Sequence, residues 1–287
     1  MRYFDAHVHL QDSCLRNHWP VLSKTLPSHG LVEAVCNGTS RNDWPAVAAL
    51  ARQCEWIRPA FGLHPWHVGN AREGWLDELR AFLLADGTAV VGEIGLDRWI
   101  LDSARADDAR LTGLERASLE AQEAAFIAQL ELSTELKRPP TIHCLHAWNR
   151  IEQILSHSHR PSTGFLLHAF SGPPDRVKVF LELGAYFSFN GYFLAPRHAA
   201  VRDVFASIPL ERLLVETDAP AMPFPESHRK HALPAQPNEP APIHPANIEV
   251  AYAALAELRG MSVASLSGVI ERNFRRLFDH LGRGLNG

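Results

Sequence analysis

Short runs of apolar, β-branched and aromatic residues recur along the chain and predict eight strands, over 3–10, 31–39, 57–64, 89–96, 141–145, 164–170, 185–191 and 213–217. Between most of them apolar positions at helical spacing predict helices over 44–53, 74–84, 115–136, 148–157, 175–183 and 197–206. Two more, 246–259 and 263–281, follow the last strand. Strands alternating with helices point to parallel pairing, because the crossover helix returns the chain to the same end of the sheet. Eight such units favour a closed (β/α)8 TIM barrel over an open doubly wound sheet. Neither G-x-G-x-x-G nor G-x-x-x-x-G-K-[ST] occurs, which argues against the nucleotide-binding open sheets. No linker or composition break divides the chain, so a single domain over 1–287 is expected. A charged stretch, 98–112, follows the fourth strand, and a proline-rich loop, 219–245, follows the eighth.

The residues that interrupt the apolar pattern carry the chemistry. His7 and His9, His64, Glu93, His143, His168 and Asp218 all stand near the C-terminal ends of predicted strands. That is the face on which barrel enzymes build their sites, since the βα loops converge there. Residues two apart on a strand share a face, so His7 and His9 hold two imidazoles side by side. Taken alone, such a pair reads equally as two histidines hydrogen-bonded at the edge of a core, and His64 alone reads as a satisfied buried polar group. For Glu93 and Asp218 the alternatives are buried ion pairs or helix caps. Together on one rim, these nitrogen and oxygen donors have the ligand chemistry of one or two divalent ions.

Composition narrows the setting. In 287 residues, 46% hydrophobic and 21% charged content is ordinary for a globular protein. No run of 18 apolar residues and no signal-peptide pattern occurs, so no membrane span and a cytoplasmic location are expected. Cys14, Cys36, Cys54 and Cys144 show no C-x-x-C spacing and are expected as free thiols. A net charge of −4 excludes the electrostatic footprint of a dedicated duplex binder, so any nucleic-acid contact must be local. No obligate protein partner is indicated.

His7-Val8-His9, Gly62-Leu63-His64-Pro65-Trp66, Gly92-Glu93-Ile94-Gly95-Leu96-Asp97, Ile142-His143, His168-Ala169-Phe170-Ser171-Gly172 and Glu216-Thr217-Asp218-Ala219-Pro220 stand in the order of the TatD-type metal-dependent hydrolases, which belong to the amidohydrolase-like barrel enzymes. The chain resembles that family over nearly its whole length, to the closing Asn273-Phe274-Arg275-Arg276-Leu277-Phe278. The resemblance implies His7, His9, Glu93, His143, His168 and Asp218 as ligands of two divalent ions (Mg, Mn or Zn), Glu93 bridging, and His64 contacting the substrate's phosphate. Such ions bind a phosphoryl oxygen and acidify a bridging water. Asp218 can then accept the water's proton as general base, with Glu93 as the second catalytic carboxylate.

Departures from the family bear on the substrate. Where the family usually has arginine two residues after the fifth-strand histidine, this chain has Leu145, and His146 follows as a solvent-facing residue or a weaker donor. Pro237-Asn238-Glu239-Pro240 resembles the family's later asparagine-proline loop. Trp66, His67, Trp99, Tyr192 and Phe193 follow strands on the metal-bearing face and either stack on bases or pack the loops. His228-Arg229-Lys230-His231 is either a phosphate contact or a solvated loop tip. The leading expectation is a phosphodiesterase of the deoxyribonuclease type, acting 3'-5' on single-stranded or frayed DNA ends. The alternative keeps the metal site and hydrolyses a small-molecule ester, lactone or amide. A non-catalytic metal-binding scaffold is the third reading, disfavoured by the cost of keeping so many polar groups buried.

Overall fold

The computed structural model describes residues 1–105, 107–234 and 241–279. Its strands are β1 (Tyr3–Val8), β2 (Leu31–Asn37), β3 (Ile57–Phe61), β4 (Val90–Asp97), β5 (Pro140–Leu145), β6 (Phe165–Leu167), β7 (Ala185–Asn190) and β8 (Leu213–Glu216). Each pairs in parallel with its neighbour in the chain, in the order β1 to β8. Most strand positions are buried, as they must be when one face of the sheet lines a barrel and the other is covered by helices. The barrel expected from the alternating pattern is the fold observed.

The helices are α1 (Trp19–Ser28), α2 (Trp44–Gln53), α3 (Trp75–Ala85), the single turn α4 (Trp99–Asp102), α5 (Leu119–Glu135), α6 (Trp148–His157), α7 (Arg176–Glu182), α8 (Ala199–Ser207), α9 (Ile248–Leu258) and α10 (Val263–Phe278). Two departures from expectation have local causes. α1 has no counterpart in the predicted pattern because its apolar contribution rests mainly on Leu22 and Leu26, with prolines near both ends. α5 starts at Leu119 rather than 115 because the Ser118 hydroxyl accepts from the Ala121 N–H and caps the helix there. The predicted continuation of the last helix to 281 lies partly outside the described residues, as does Pro237-Asn238-Glu239-Pro240.

Strands β1 and β8 meet where the barrel closes. The join is made at the rim, where the Asp218 N–H donates to the His7 carbonyl at 2.9 Å and the His9 N–H to the Ala219 carbonyl at 2.8 Å. Below it the buried Asp5 carboxylate accepts from the Thr217 N–H at 3.0 Å, the Thr217 hydroxyl at 2.6 Å and the His7 N–H at 3.2 Å. Burial pushes this carboxyl up to about 8, with the three donors pulling the other way.

At the opposite end, α9 and α10 meet at 106°. Asn273 of α10 donates to the carbonyls of Leu210 and Leu213 at 2.7 and 2.8 Å, and Arg58 of β3 donates to the Phe278 carbonyl at 2.9 Å. This end is therefore tied shut, which leaves the C-terminal rim as the open face. Among the described residues no single helix is long and apolar enough to cross a membrane.

Replacing Asp5 with alanine leaves three donors without an acceptor, two of them from Thr217 across the join. Each lost buried partner costs on the order of 1 kcal/mol, so Asp5→Ala is expected to lower unfolding stability by about 3 kcal/mol. Urea denaturation followed by circular dichroism measures this, and an unchanged midpoint would remove Asp5 as the closing device.

Candidate metal centre

The seven polar residues expected at the rim converge. Several stand one to three residues beyond their strands, because the ladders stop short of the predicted ends: β1 ends at Val8, β3 at Phe61, β6 at Leu167 and β8 at Glu216. His9, His64, His168 and Asp218 therefore project from the first residues of the βα loops. Glu93 and His143 come from β4 and β5 themselves. Gly95 lets those two strands approach, since a Cβ there would meet the His143 carbonyl at 2.0 Å, and its φ of 143° is one that side chains resist. Asp218 also adopts a positive φ, 51°, which an aspartate tolerates better than most residues and which turns its carboxylate toward His9.

Glu93 is the centre of the cluster, and its two oxygens divide the imidazoles. Oε2 lies 3.3 Å from His7 Nε2 and 3.5 Å from His9 Nε2. Oε1 lies 2.9 Å from His143 Nδ1 and 2.8 Å from His168 Nε2. Asp218 joins the first group, its Oδ1 3.1 Å from His9 Nε2 and 3.6 Å from His7 Nε2. His7, Glu93 and His168 lie close enough to share one ion, as do His7, His9 and Asp218.

The outer faces of the rings decide which nitrogens carry lone pairs. His9 Nδ1 lies 2.7 Å from the Asn37 carbonyl, so it donates there and leaves Nε2 a bare acceptor. His143 Nε2 lies 3.2 Å from Asp97 Oδ2, which frees Nδ1 in the same way. His168 Nδ1 faces Glu216 Oε1 at 3.7 Å, and Glu216 is itself held by Ser188 and by Asn190 Nδ2 at 3.2 Å. With these rings neutral, acceptors are thus aimed at acceptors across about 3 Å, and the buried Asp218 Oδ1 has no aligned donor among the described residues. A cation satisfies this arrangement, and imidazoles backed by carboxylate or carbonyl are the arrangement that orients metal-binding histidines.

The electrostatics agree. Burial opposes charge on these rings, yet the neighbouring carboxylates outweigh it: Asp97 and Glu93 push His143 up to about 9, and His9 and His168 rise well above the ordinary range. Burial likewise opposes charge on Glu93, but His168, His64 and His7 hold its carboxyl well below its usual value. At His7 burial wins and the ring is held below its ordinary value, so positive charge is stabilised at His9, His143 and His168.

His64 differs from the others. It lies near enough to Glu93 and His143 to share an ion by distance alone. However, its Nδ1 accepts from the Trp66 N–H at 3.2 Å, so the neutral ring carries its proton on Nε2, which points at Glu93 Oε1 from 3.5 Å. Burial holds the ring below its ordinary pKa and so neutral. His64 offers the site an N–H donor and no free lone pair.

The family model for TatD-related DNases matches residues 4–279. The chain belongs to this family. It is 31% identical over 283 residues to the 3'-5' ssDNA/RNA exonuclease TatD of Enterobacter lignolyticus, covering 96% of this chain and 98% of that protein. It is 28% identical over 280 residues to the uncharacterized metal-dependent hydrolase YjjV of Escherichia coli, covering 97% and 98%. The crystal structure of YjjV superposes with a TM-score of 0.80, over 97% of this chain and 98% of that one. A hydrolase that uses a divalent metal is the class these findings support.

Around the converging polar set, other residues singled out in the sequence take different places. Leu145 is half-buried, and the exposed His146 turns outward at φ 57°, away from a role at the centre. Phe193 is buried and packs against Phe189 and Phe205, so it is a core residue rather than a stacking surface. The cluster at 228–231 is partly engaged: Arg229 donates to the Phe224 carbonyl at 2.7 Å, while His231 and Lys230 pair with Glu249 at 3.1 and 3.5 Å.

Sequence reasoning passed over Asp97, Glu216, Gln122 and Gln129. Gln129 Oε1 accepts from the Leu63 N–H at 2.6 Å while its Nε2 donates to the Leu63 carbonyl at 3.2 Å. Gln122 does the same for Asp97, at 2.9 and 3.1 Å. Two turns of α5 thereby pin the backbone beside His64 and at Asp97. The available signal was two amides on the helix's apolar side. If Asp97 orients His143, Asp97→Ala is expected to weaken divalent-ion binding roughly 10- to 100-fold. Calorimetric titration of metal-stripped protein with Zn²⁺ or Mn²⁺ measures it, and wild-type affinity in the variant would refute the role.

Proposed function

We propose that the chain is a phosphodiesterase that shortens single-stranded or frayed DNA from the 3' end, with His7, His9, Glu93, His143, His168 and Asp218 holding two divalent ions. The observation that carries this reading is the division of donors by the two oxygens of Glu93, which suits one carboxylate spanning two cations. The activity named for the Enterobacter relative supports the substrate class. Bound divalent ions supply Lewis acidity and an acidified water there, whether Mg²⁺, Mn²⁺ or Zn²⁺.

The chain's own groups supply the rest. Asp218 accepts the nucleophile's proton on its carboxylate, as the general base. Its carboxyl is suited to stay ionised because, against burial, His9 and His7 hold it below its usual range. His64 directs Nε2–H into the site and donates to a phosphoryl oxygen, holding the diester in place. Asp97 and Glu216 keep His143 and His168 facing inward.

A second reading, a small-molecule esterase, lactonase or amidase, draws on Leu145, which removes a guanidinium expected to clamp phosphate. One experiment separates the two. Metal-stripped protein is reloaded with Mg²⁺, Mn²⁺ or Zn²⁺ and assayed on labelled single-stranded DNA beside a panel of esters and lactones. Metal-restored 3'-5' shortening is expected, with kcat lowered at least ~100-fold in Asp218→Asn. Restored ester hydrolysis without DNA cleavage would transfer the chain to the second reading.

A further inference from the structure

Two partly exposed aromatic platforms stand on the rim, each carrying an arginine. After β3 and β4, Trp66 and Trp99 stack with centroids 5.8 Å apart at 28°, and the Arg110 guanidinium lies 4.6 Å from the Trp99 ring and 6.0 Å from the Trp66 ring. After β7, the Arg197 guanidinium lies 5.2 Å from the Tyr192 ring and donates to its hydroxyl at 2.9 Å. In a ring of eight strands β3 and β7 are diametrically opposed, which puts the platforms that follow them on opposite sides of the rim.

The first platform is hydrogen-bonded directly to the carboxylate beside His143, and the second is linked through Asn190 to the carboxylate that faces His168. Trp66 Nε1–H donates to Asp97 Oδ2 at 2.6 Å, the oxygen that holds His143. The Tyr192 N–H donates to Asn190 Oδ1 at 2.8 Å, and Asn190 Nδ2 donates to Glu216, which faces His168. The Trp66 ring and the Tyr192 backbone are thus tied by hydrogen bonds to the residues around the central cluster. Both arginines keep donors to spare. Asp108 takes Nε and Nη2 of Arg110 at 2.9 and 2.6 Å and leaves Nη1. Arg197 has no carboxylate within ion-pair distance among the described residues; its Nε faces His198 at 3.1 Å.

We propose that these two arginine-capped platforms form a track that carries a single strand of nucleic acid across the metal centre, stacking bases on Trp99 and Tyr192 and contacting phosphates with Arg110 and Arg197 in place of the guanidinium absent at Leu145. The proposal rests on the nuclease reading above. Aromatic faces bind bases without regard to sequence, and a planar guanidinium both stacks and reaches phosphate. The track also explains how a chain of net charge −4 engages a polyanion through a local surface.

The test uses the metal-loaded enzyme with Arg110→Gln, Arg197→Gln and the double variant, alongside the corresponding lysine substitutions, which keep charge and lose the planar fork. KM and kcat are measured on a labelled hexanucleotide and on a dinucleotide, across a salt series. For the hexanucleotide, KM is expected to rise about fivefold to tenfold per glutamine substitution, with kcat moving far less. The salt dependence of log KM should become shallower by about 0.7 per arginine removed. The preference for the hexanucleotide over the dinucleotide should fall by the same factor as KM rises, because a dinucleotide is too short to span both platforms. An unmoved KM and salt slope in the double variant overturns the track, as does an equal loss on the dinucleotide. Failure of the wild type to cleave either oligonucleotide overturns the nuclease reading instead. Fluorescence anisotropy of a labelled hexanucleotide then decides the track on its own, since equal affinity of wild type and double variant refutes it.

Discussion

Everything at the rim depends on the join between the first strand and the last. Asp5 and Thr217 are 212 residues apart, and the buried carboxylate of one collects the amide and hydroxyl of the other. Just above them the His7 carbonyl receives the Asp218 N–H, so the backbone of one donor residue is bonded to that of another. An open sheet would leave His7 and His9 on one edge and Asp218 on the other. Closure turns two chain-distant fragments into one side of the candidate metal pocket, and it does so through directional bonds, which set register as well as proximity.

The second constraint is electrostatic. Lone pairs of imidazole and carboxylate face one another across about 3 Å in a buried space, an arrangement that needs positive charge between them. Protons supply it in the bare protein, which is why Glu93 and Asp218 stay ionised while His9, His143 and His168 bind protons tightly. A divalent ion supplies it with directionality, and the Asn37 carbonyl and Asp97 turn His9 Nε2 and His143 Nδ1 inward, while Glu216 faces His168 Nδ1 from 3.7 Å. His64 is set apart by one backbone bond. Because the Trp66 N–H occupies its Nδ1, the ring faces the site with a donor, and a residue of the same type takes a different chemical role.

How much of this was legible depended on whether the controlling contact was local. Short continuous apolar runs marked all eight strands, since burial on both faces imposes apolar side chains at nearly every position. The polar residues ending those runs marked the rim for the same reason: they break a rule that holds elsewhere. Asp97 and Glu216 sat inside quoted motifs without a role, because the histidines they orient lie on neighbouring strands. Gln122 and Gln129 were invisible as anchors, since an amide on a helix acquires meaning only from the backbone that packs against it. Tyr192 and Phe193 are adjacent and chemically alike, yet one is partly exposed and the other buried, a choice made by the direction of the chain after β7.

The sequence by itself determined the alternation of strand and helix, the barrel that follows from eight such units, and the identity of the groups gathered at its C-terminal rim. These are properties of side-chain type and spacing, which short stretches of chain carry on their own. Only the tertiary structure decided how Glu93 divides its neighbours, which ring nitrogen each histidine turns inward, and that arginines sit on aromatic faces on both sides of the opening. Those features are pairwise distances and hydrogen-bond directions between residues far apart in the chain, and closing the barrel is what creates them.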